Sequence, residues 1–225
     1  MRQLGRPRVH LRRTGSTNDR ARELAAAGAP DGTLVTTGEQ TAGRGRQGRT
    51  WAAPPGKALL LSLVIREPLA LLSLRGGLAV ADLAGPGARV KWPNDVLLAG
   101  RKVAGVVVEA RPQEGWAVLG IGVNLAVDAA DLPADLHETA GGLGRSAHEL
   151  ETALRELLAA LRIRLAEPAT ETLEALRDRD ALLEQRVTWS DGSGVGAGID
   201  ERGALLVRRT GKELLALDSG EVHLM

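Results

Sequence analysis

RVKWPNDVLLAGRKVAGVVVEARPQEGWAVLGIGVNL, residues 89–125, contains four strand-like runs separated by short turn signals. The runs are Arg89 to Trp92, Val96 to Leu98, Val103 to Glu109 and Trp116 to Leu125, the last three dominated by Val, Leu, Ile and Ala. Pro93-Asn94-Asp95 and Ala99-Gly100-Arg101 between them are turn chemistry. Parallel neighbours need long crossovers, whereas connections this short return the chain beside itself, so the segment predicts an antiparallel meander.

Outward from the meander the pattern is mixed. Gly32 to Thr37 and the continuous apolar run Ala58 to Ile65 read as strands. Leu69 to Ala84 has helical Leu and Ala spacing despite Gly76-Gly77 in its middle. Ser16-Thr17-Asn18 is a polar start for a short helix over Arg20 to Ala27, which Gly28 stops. Ser146-Ala147-His148-Glu149 is a capping box, and Leu150, Leu154, Leu157, Leu158, Leu161 and Leu165 follow at helical spacing until Pro168. From Arg186 the runs become short and alternating: Arg186 to Trp189, Gly194 to Ile199, Ala204 to Arg208, Glu213 to Leu217 and Glu221 to Leu224. The expectation is an α+β fold, a mixed, largely antiparallel sheet packed with helices over residues 1–184. A small β-barrel is expected over 185–225.

Composition narrows the function classes. The 225 residues carry 29 Lys and Arg against 28 Asp and Glu, a net charge of +1, which is not the body of a nonspecific nucleic-acid binder. With no Cys, thiolate nucleophiles and Cys-ligated metal centres are excluded. The longest uncharged stretch, Gly115 to Val127, falls well short of the roughly 18 apolar residues of a membrane span. The first 13 residues hold five arginines and no apolar secretory core, so a cytoplasmic protein is expected. Phe and Tyr are absent, and two of the four tryptophans, Trp51 and Trp92, stand in polar surroundings. Lys57, Lys91, Lys102 and Lys212 are the only lysines, which singles each out for a role.

The chemistry concentrates in four places. Gln40 to Gly56 is a 17-residue loop by composition, and within it Gly43-Arg44-Gly45-Arg46-Gln47-Gly48-Arg49-Thr50-Trp51 alternates glycines with arginines. Glycines let backbone N–H groups approach a ligand, and guanidinium forks match phosphate and carboxylate, so the run is an anion cradle on chemical grounds. It fits G-x-G-x-x-G literally, but Pro54-Pro55-Gly56 denies the helix that a dinucleotide fingerprint requires. Lys91-Trp92-Pro93-Asn94-Asp95 places a cation and a carboxylate at the ends of a turn, equally the pattern of an ordinary hairpin with a surface ion pair. In Gly100 to Glu109, Lys102 stands at the mouth of a strand that contains Gly105, a mark of close approach or of a bulge. Gly120-Ile121-Gly122-Val123-Asn124 leaves one strand face without side chains, room for a flat ligand or for a packed helix.

Together with Ser16-Thr17-Asn18 and Ser219-Gly220-Glu221-Val222, these segments stand in the order found in biotin protein ligases, which the chain resembles from about residue 10 to its end. The resemblance implies the biotin/lipoate ligase-like catalytic fold with a C-terminal SH3-like barrel. It also implies a two-step acyl transfer: biotin and ATP give biotinyl-5′-AMP, from which the biotinyl group passes to a lysine of a biotin carboxyl carrier protein or domain. Mg²⁺ would neutralise the phosphates. By the same resemblance Lys102, Arg46, Asp95 and Lys91 are the catalytic candidates. Ser16, Thr17, Asn18, Gln40, Gly43, Arg44, Arg46, Lys102, Gly105, Gly120 and Gly122 would bind biotin. Arg44, Arg46, Arg49, Trp51, Asn94, Lys102 and Asn124 would bind ATP. Ser16 is equally a helix cap, and Trp51 either a lid over adenine or a core residue.

Some relatives carry an N-terminal DNA-binding domain. Here the first motif begins at Ser16, so neither DNA nor membrane is an expected partner, and monomer and homodimer both stand open. Two other readings remain: a lipoate ligase with the same adenylate chemistry, and a nucleic-acid module built on the Arg44 to Arg49 loop.

Overall fold

The computed structural model describes residues 3–209 and 213–225; Lys212 lies outside them. Seven strands form the main sheet: β1 (Arg8–Leu11), β2 (Leu34–Thr37), β3 (Ala58–Arg66), β4 (Arg89–Lys91), β5 (Asp95–Leu98), β6 (Arg101–Arg111) and β7 (Trp116–Asn124). Their order across the sheet is β1-β2-β3-β7-β6-β5-β4. The expected meander forms half of it, β4 through β7 pairing antiparallel in sequence order. Among the described strands only β1 and β2 pair parallel, and helix α1 (Thr17–Ala26) is their crossover. Strand β1 escapes a reading of the sequence because its four residues, RVHL, are half exposed at the sheet edge.

Alternation along the central strands sorts side chains onto two faces. Leu59, Leu61, Leu63 and Ile65 of β3, and Ala117, Leu119, Ile121 and Val123 of β7, enter the main core. Helices α2 (Leu72–Ala84) and α3 (Leu150–Ala166) cover that face. Gly76 is where α2 meets the sheet: a Cβ there would stand 3.0 Å from Val106 Cγ1 and 3.2 Å from Leu119 Cδ1. A helix-interior glycine costs about 1 kcal/mol against alanine, and here close helix–sheet contact offsets it. The opposite face carries α1, whose Ala21 and Ala25 pack on Val35, Val64 and Val118, and then the glycines of β6 and β7.

The capping box forms at the entry to α3, Glu149 Oε2 accepting from Ser146 N at 2.8 Å. Pro168 closes α3 and also opens α4 (Ala169–Asp178), a helix absent from the sequence reading. Strands β8 (Arg186–Trp189), β9 (Gly192–Ile199), β10 (Leu205–Arg208), β11 (Leu214–Leu217) and β12 (His223–Leu224) form a second, antiparallel sheet in the order β11-β10-β9-β8-β12. The two sheets share one core, since Val187, Ile199, Leu205, Val207 and Val222 cluster with Leu74, Leu78 and Leu173. Trp92 is part of this junction, its Nε1 donating to Gly203 O at 3.0 Å. Among the described residues no helix is long and apolar enough to cross a membrane.

Candidate active site

A cavity of about 540 Å³ opens on the glycine face of the main sheet. Its walls are α1, the 40–56 loop, the β4–β5 turn, the segment 132–140 and strand β12. Of the candidates named from sequence, all line this cavity except Gly43. Gly43 sits behind the wall, where a Cβ would collide with Trp51 O.

One end of the cavity is polar and uncharged. Ser16 caps α1, its Oγ accepting from Asn18 N at 3.2 Å. Gln40 Oε1 accepts from Thr17 N at 2.7 Å and from Thr17 Oγ1 at 3.1 Å. Ser62 Oγ lies 2.6 Å from Asn18 Oδ1 and 2.8 Å from Thr17 Oγ1, and Asn18 Nδ2 donates to Glu109 Oε1 at 2.8 Å. Ser62 and Glu109 were not among the sequence candidates: a lone serine inside the apolar run 58–65 carries no signal until its face is known. Register supplies it, because Ser62 pairs with Gly120.

The bare face has protein neighbours. Gly105 and Gly122 are partners across the β6–β7 ladder, and the Trp51 indole lies on both. A Cβ would stand 3.1 Å from its Cζ3 at Gly105 and 2.6 Å from its Cε2 at Gly122. At Gly120 a Cβ would collide with the Asn18 carboxamide. The glycines thus admit a loop indole and a helix side chain, rather than the packed helix that was the sequence alternative to a flat ligand.

The other end is cationic. Arg44, Arg46, Arg49, Lys91 and Lys102 line the cavity against two carboxylates, Asp95 and Glu138. Lys102 reaches this face because of a bulge: Val96 pairs with Ala104 but Leu97 pairs with Lys102, leaving Val103 as an extra residue on β6. Asp95 and Leu97 share a face of β5, so their partners Gly105 and Lys102 share one too. Lys102 Nζ ends 2.7 Å from Asp95 Oδ1 and 5.7 Å from the centroid of the Trp51 ring. The Lys102 backbone also holds the far wall, donating to Thr139 O at 2.8 Å and accepting from Gly141 N at 3.0 Å.

Arg46 Nη1 donates to Asn94 Oδ1 at 3.2 Å, while Asn94 Nδ2 donates to Val106 O. Arg44 turns outward to Asp19, 3.0 Å away. Burial draws the Lys91 ammonium below the ordinary lysine range; Asp95 opposes this, and Lys102 and Arg49 reinforce it. Burial likewise lowers Arg46, with Asp95 opposing and Arg49 adding to the effect. Cations so crowded and partly dehydrated favour an incoming anion. Besides Asp95 Oδ1, which faces Lys102 Nζ in the ion pair, two buried atoms of lining residues, Trp51 Nε1 and Asn124 Oδ1, have no hydrogen-bond partner, one a donor and the other an acceptor. Asn124 Nδ2 is fixed by Gly141 O at 3.0 Å.

This combination, an uncharged polar end and an anion-seeking end joined over a glycine-floored sheet, suits a small carboxylic acid meeting a nucleotide. The profile of the biotin/lipoate A/B protein ligase family matches residues 10–126, and the chain belongs to that family. It is 34% identical to the biotin–[acetyl-CoA-carboxylase] ligase of Mycobacterium tuberculosis, over 94% of this chain and 86% of that one. To the bifunctional ligase/repressor BirA of Bacillus subtilis it is 37% identical over 60% of its length, and it spans about half of the Bacillus ligase/repressors it matches. The fold superposes on the biotin protein ligase from Aquifex aeolicus solved with biotin and ATP, with a TM-score of 0.83, 26% identity and coverage of 98% and 99% of the two chains.

Proposed function

We propose that this protein is an ATP-dependent biotin protein ligase that forms biotinyl-5′-AMP and passes the biotinyl group to a lysine of a biotin carboxyl carrier protein or domain. The observation that carries this reading is the division of one cavity into an end of neutral hydrogen-bonding side chains on α1 and an end where Arg46, Arg49, Lys91 and Lys102 gather. A ureido bicycle needs fixed neutral partners, and a carboxylate attacking a phosphate needs fixed positive charge.

In this reading Ser16, Thr17, Asn18 and Gln40 face the ureido group. The rings lie on the strip of Gly105, Gly120 and Gly122 once the Trp51 indole swings off the floor to cover them, and Gly43 lets the loop backbone close. The carboxylate end points to Arg44, Arg46 and Lys102. A carboxylate oxygen attacks the α-phosphorus of ATP, the bond to the pyrophosphate oxygen breaks, and pyrophosphate leaves with both electrons. Arg46 and Lys102 stabilise the charge gathered on the phosphoryl oxygens, Arg49 flanks the leaving group, and Asn94 fixes Arg46.

Asn124 Oδ1 and Trp51 belong to the adenine side. Among the described residues no cluster of three metal-ligating side chains exists, so Mg²⁺ would be held chiefly by the triphosphate, with Asn124 the neutral oxygen donor nearby. It would supply charge neutralisation during the first step.

In the second step the neutral acceptor amine attacks the acyl carbon of the mixed anhydride and AMP departs. An acceptor lysine arrives protonated, and Asp95, freed when Lys102 turns to the phosphate, is the carboxylate placed to receive that proton. Lys91 faces Asp95 as its register partner across the turn.

We further propose a division at residues 184/185 into a catalytic unit and a C-terminal β unit. The switch to a separate sheet supports it, and the shared core makes the two units interdependent. The direct test is incubation with ATP, Mg²⁺, biotin and a carrier domain, followed by intact mass: a biotinyl adduct on the carrier is expected. Its absence when the same carrier is labelled by another biotin ligase would refute the reading.

A further inference from the structure

Glu109 does not line the cavity, yet it heads a run of hydrogen bonds that ends there. Gly105, Val107 and Glu109 alternate onto one face of β6; the first two reach the cavity, and the third lies beyond it beside α1. One Glu109 oxygen accepts from Asn18 Nδ2 at 2.8 Å, and the other pairs with Arg22 Nη1 at 3.0 Å. Arg22 is itself held, its Nη2 lying 2.7 Å from Asp19 Oδ1. A carboxylate takes donors only, so the Asn18 carboxamide turns its NH2 to Glu109 and its oxygen to Ser62. The buried Ser62 hydroxyl has one proton, and Asn18 Oδ1, 2.6 Å away, takes it. Ser62 Oγ then faces Thr17 Oγ1 at 2.8 Å as an acceptor. The Thr17 proton goes to Ser62 Oγ or to Gln40 Oε1, and either way none of these donors occupies the lone pairs of Thr17 Oγ1 at the cavity wall.

From this geometry we infer that Glu109 is a positioning residue that sets the direction of the hydrogen bonds from Asn18 through Ser62 to Thr17, making the Thr17 hydroxyl an acceptor for an N–H of the ligand. The neutral end of the cavity thereby selects a ring that carries N–H donors, as a ureido ring does and a dithiolane ring does not. The inference rests on the proposed ligase reading for the identity of the ligand, and on hydrogen-bond geometry alone for the direction.

Glu109→Gln keeps the shape of the side chain and reverses the direction. Arg22 then donates to the amide oxygen, the amide NH2 at position 109 faces Asn18, and the Asn18 carboxamide turns over, sending its own NH2 to Ser62 and the Ser62 proton to Thr17 Oγ1. In the free protein, nuclear Overhauser contacts of the Asn18 NH2 should move from the side chain at position 109 to the β protons of Ser62; unchanged contacts would overturn the direction whatever the ligand is. In calorimetric titration, Glu109→Gln should raise the Kd for biotin about two- to tenfold, the worth of one neutral hydrogen bond. The change should vanish in a Ser62→Ala background, where the path from Asn18 to Thr17 is cut. An undiminished effect in that background would overturn the positioning role. Absence of biotin binding by the unaltered protein would count against the ligase reading and leave the Asn18 contacts to decide the direction.

Discussion

Lys102 Nζ lies 2.7 Å from Asp95 Oδ1, although the two residues are not register partners: Asp95 pairs with Gly105, and a bulge at Val103 brings Lys102 onto the same face. In the proposed reaction this pairing keeps each charge occupied until a ligand carboxylate or phosphate takes Lys102, which would leave Asp95 to the protonated acceptor and couple the two half-reactions through one ion pair.

Lys102→Ala should therefore impair adenylate formation far more than biotin binding, by about 100- to 1000-fold, as expected for loss of a donor aimed at developing charge. Single-turnover adenylation beside equilibrium biotin binding checks this, and a normal single-turnover rate would remove Lys102 from the phosphoryl site.

Arg46→Ala should shorten the lifetime of bound biotinyl-5′-AMP by roughly ten- to a hundredfold, the worth of one hydrogen bond to a charged group. Trapping released adenylate measures it. An unchanged lifetime would place Arg46 outside the cradle.

How far these sites were legible in the sequence depends on the kind of information each needs. The meander was legible because its turns carry Pro, Asn, Asp and Gly between apolar runs, and α3 because its cap and leucine spacing are local. The parallel β1–β2 pair was not, since the four residues of β1 are half exposed and owe their strand state to a distant partner. The arginines of the 40–56 loop announced themselves by composition. Ser62 and Glu109, which hold Asn18, were hidden because a residue's face follows from register, and the bulge that turns Lys102 inward leaves no local trace. Glycine spacing foretold a bare strip on β6 and β7, but that a tryptophan from the loop lies on it is a tertiary fact.

That tryptophan gives a spectroscopic prediction. If biotin takes the strip of Gly105 and Gly122, the half-buried Trp51 indole leaves its place on the strip for a new one, and its emission should change on biotin addition. The change should disappear in Trp51→Phe, with Trp92, Trp116 and Trp189 still present. A signal that persists in the variant would mean that the indole stays in place.

Lys91 gives a pH prediction. Its folded-state pKa lies below the ordinary value of 10.5, so the folded protein holds this proton less tightly than the unfolded chain does. A charged Lys91 therefore weighs against folding at neutral pH, and the penalty lifts as pH rises through the folded value toward 10.5. Lys91→Met should be more stable than the unaltered protein near pH 7, with the difference shrinking as pH approaches 10.5. Denaturant midpoints across that window check it; a constant or growing difference would contradict the burial argument.

Ending the chain at Glu184 should lower the thermal midpoint sharply and broaden the transition. It removes Val187, Ile199, Leu205, Val207 and Val222 from the shared core and leaves Trp92 Nε1 without its acceptor. Burial of one such aliphatic side chain is worth roughly 1.5–3 kcal/mol, so the loss is not local. An unchanged midpoint would show that the catalytic unit folds alone.

The central claim is that this cavity joins biotin to the α-phosphate of ATP, and pyrophosphate exchange tests it without an acceptor protein. Labelled pyrophosphate should enter ATP when biotin is added, and neither with lipoate in its place nor with ATP alone. Exchange with lipoate only would keep the chemistry and overturn the substrate; no exchange with either acid would contradict the account.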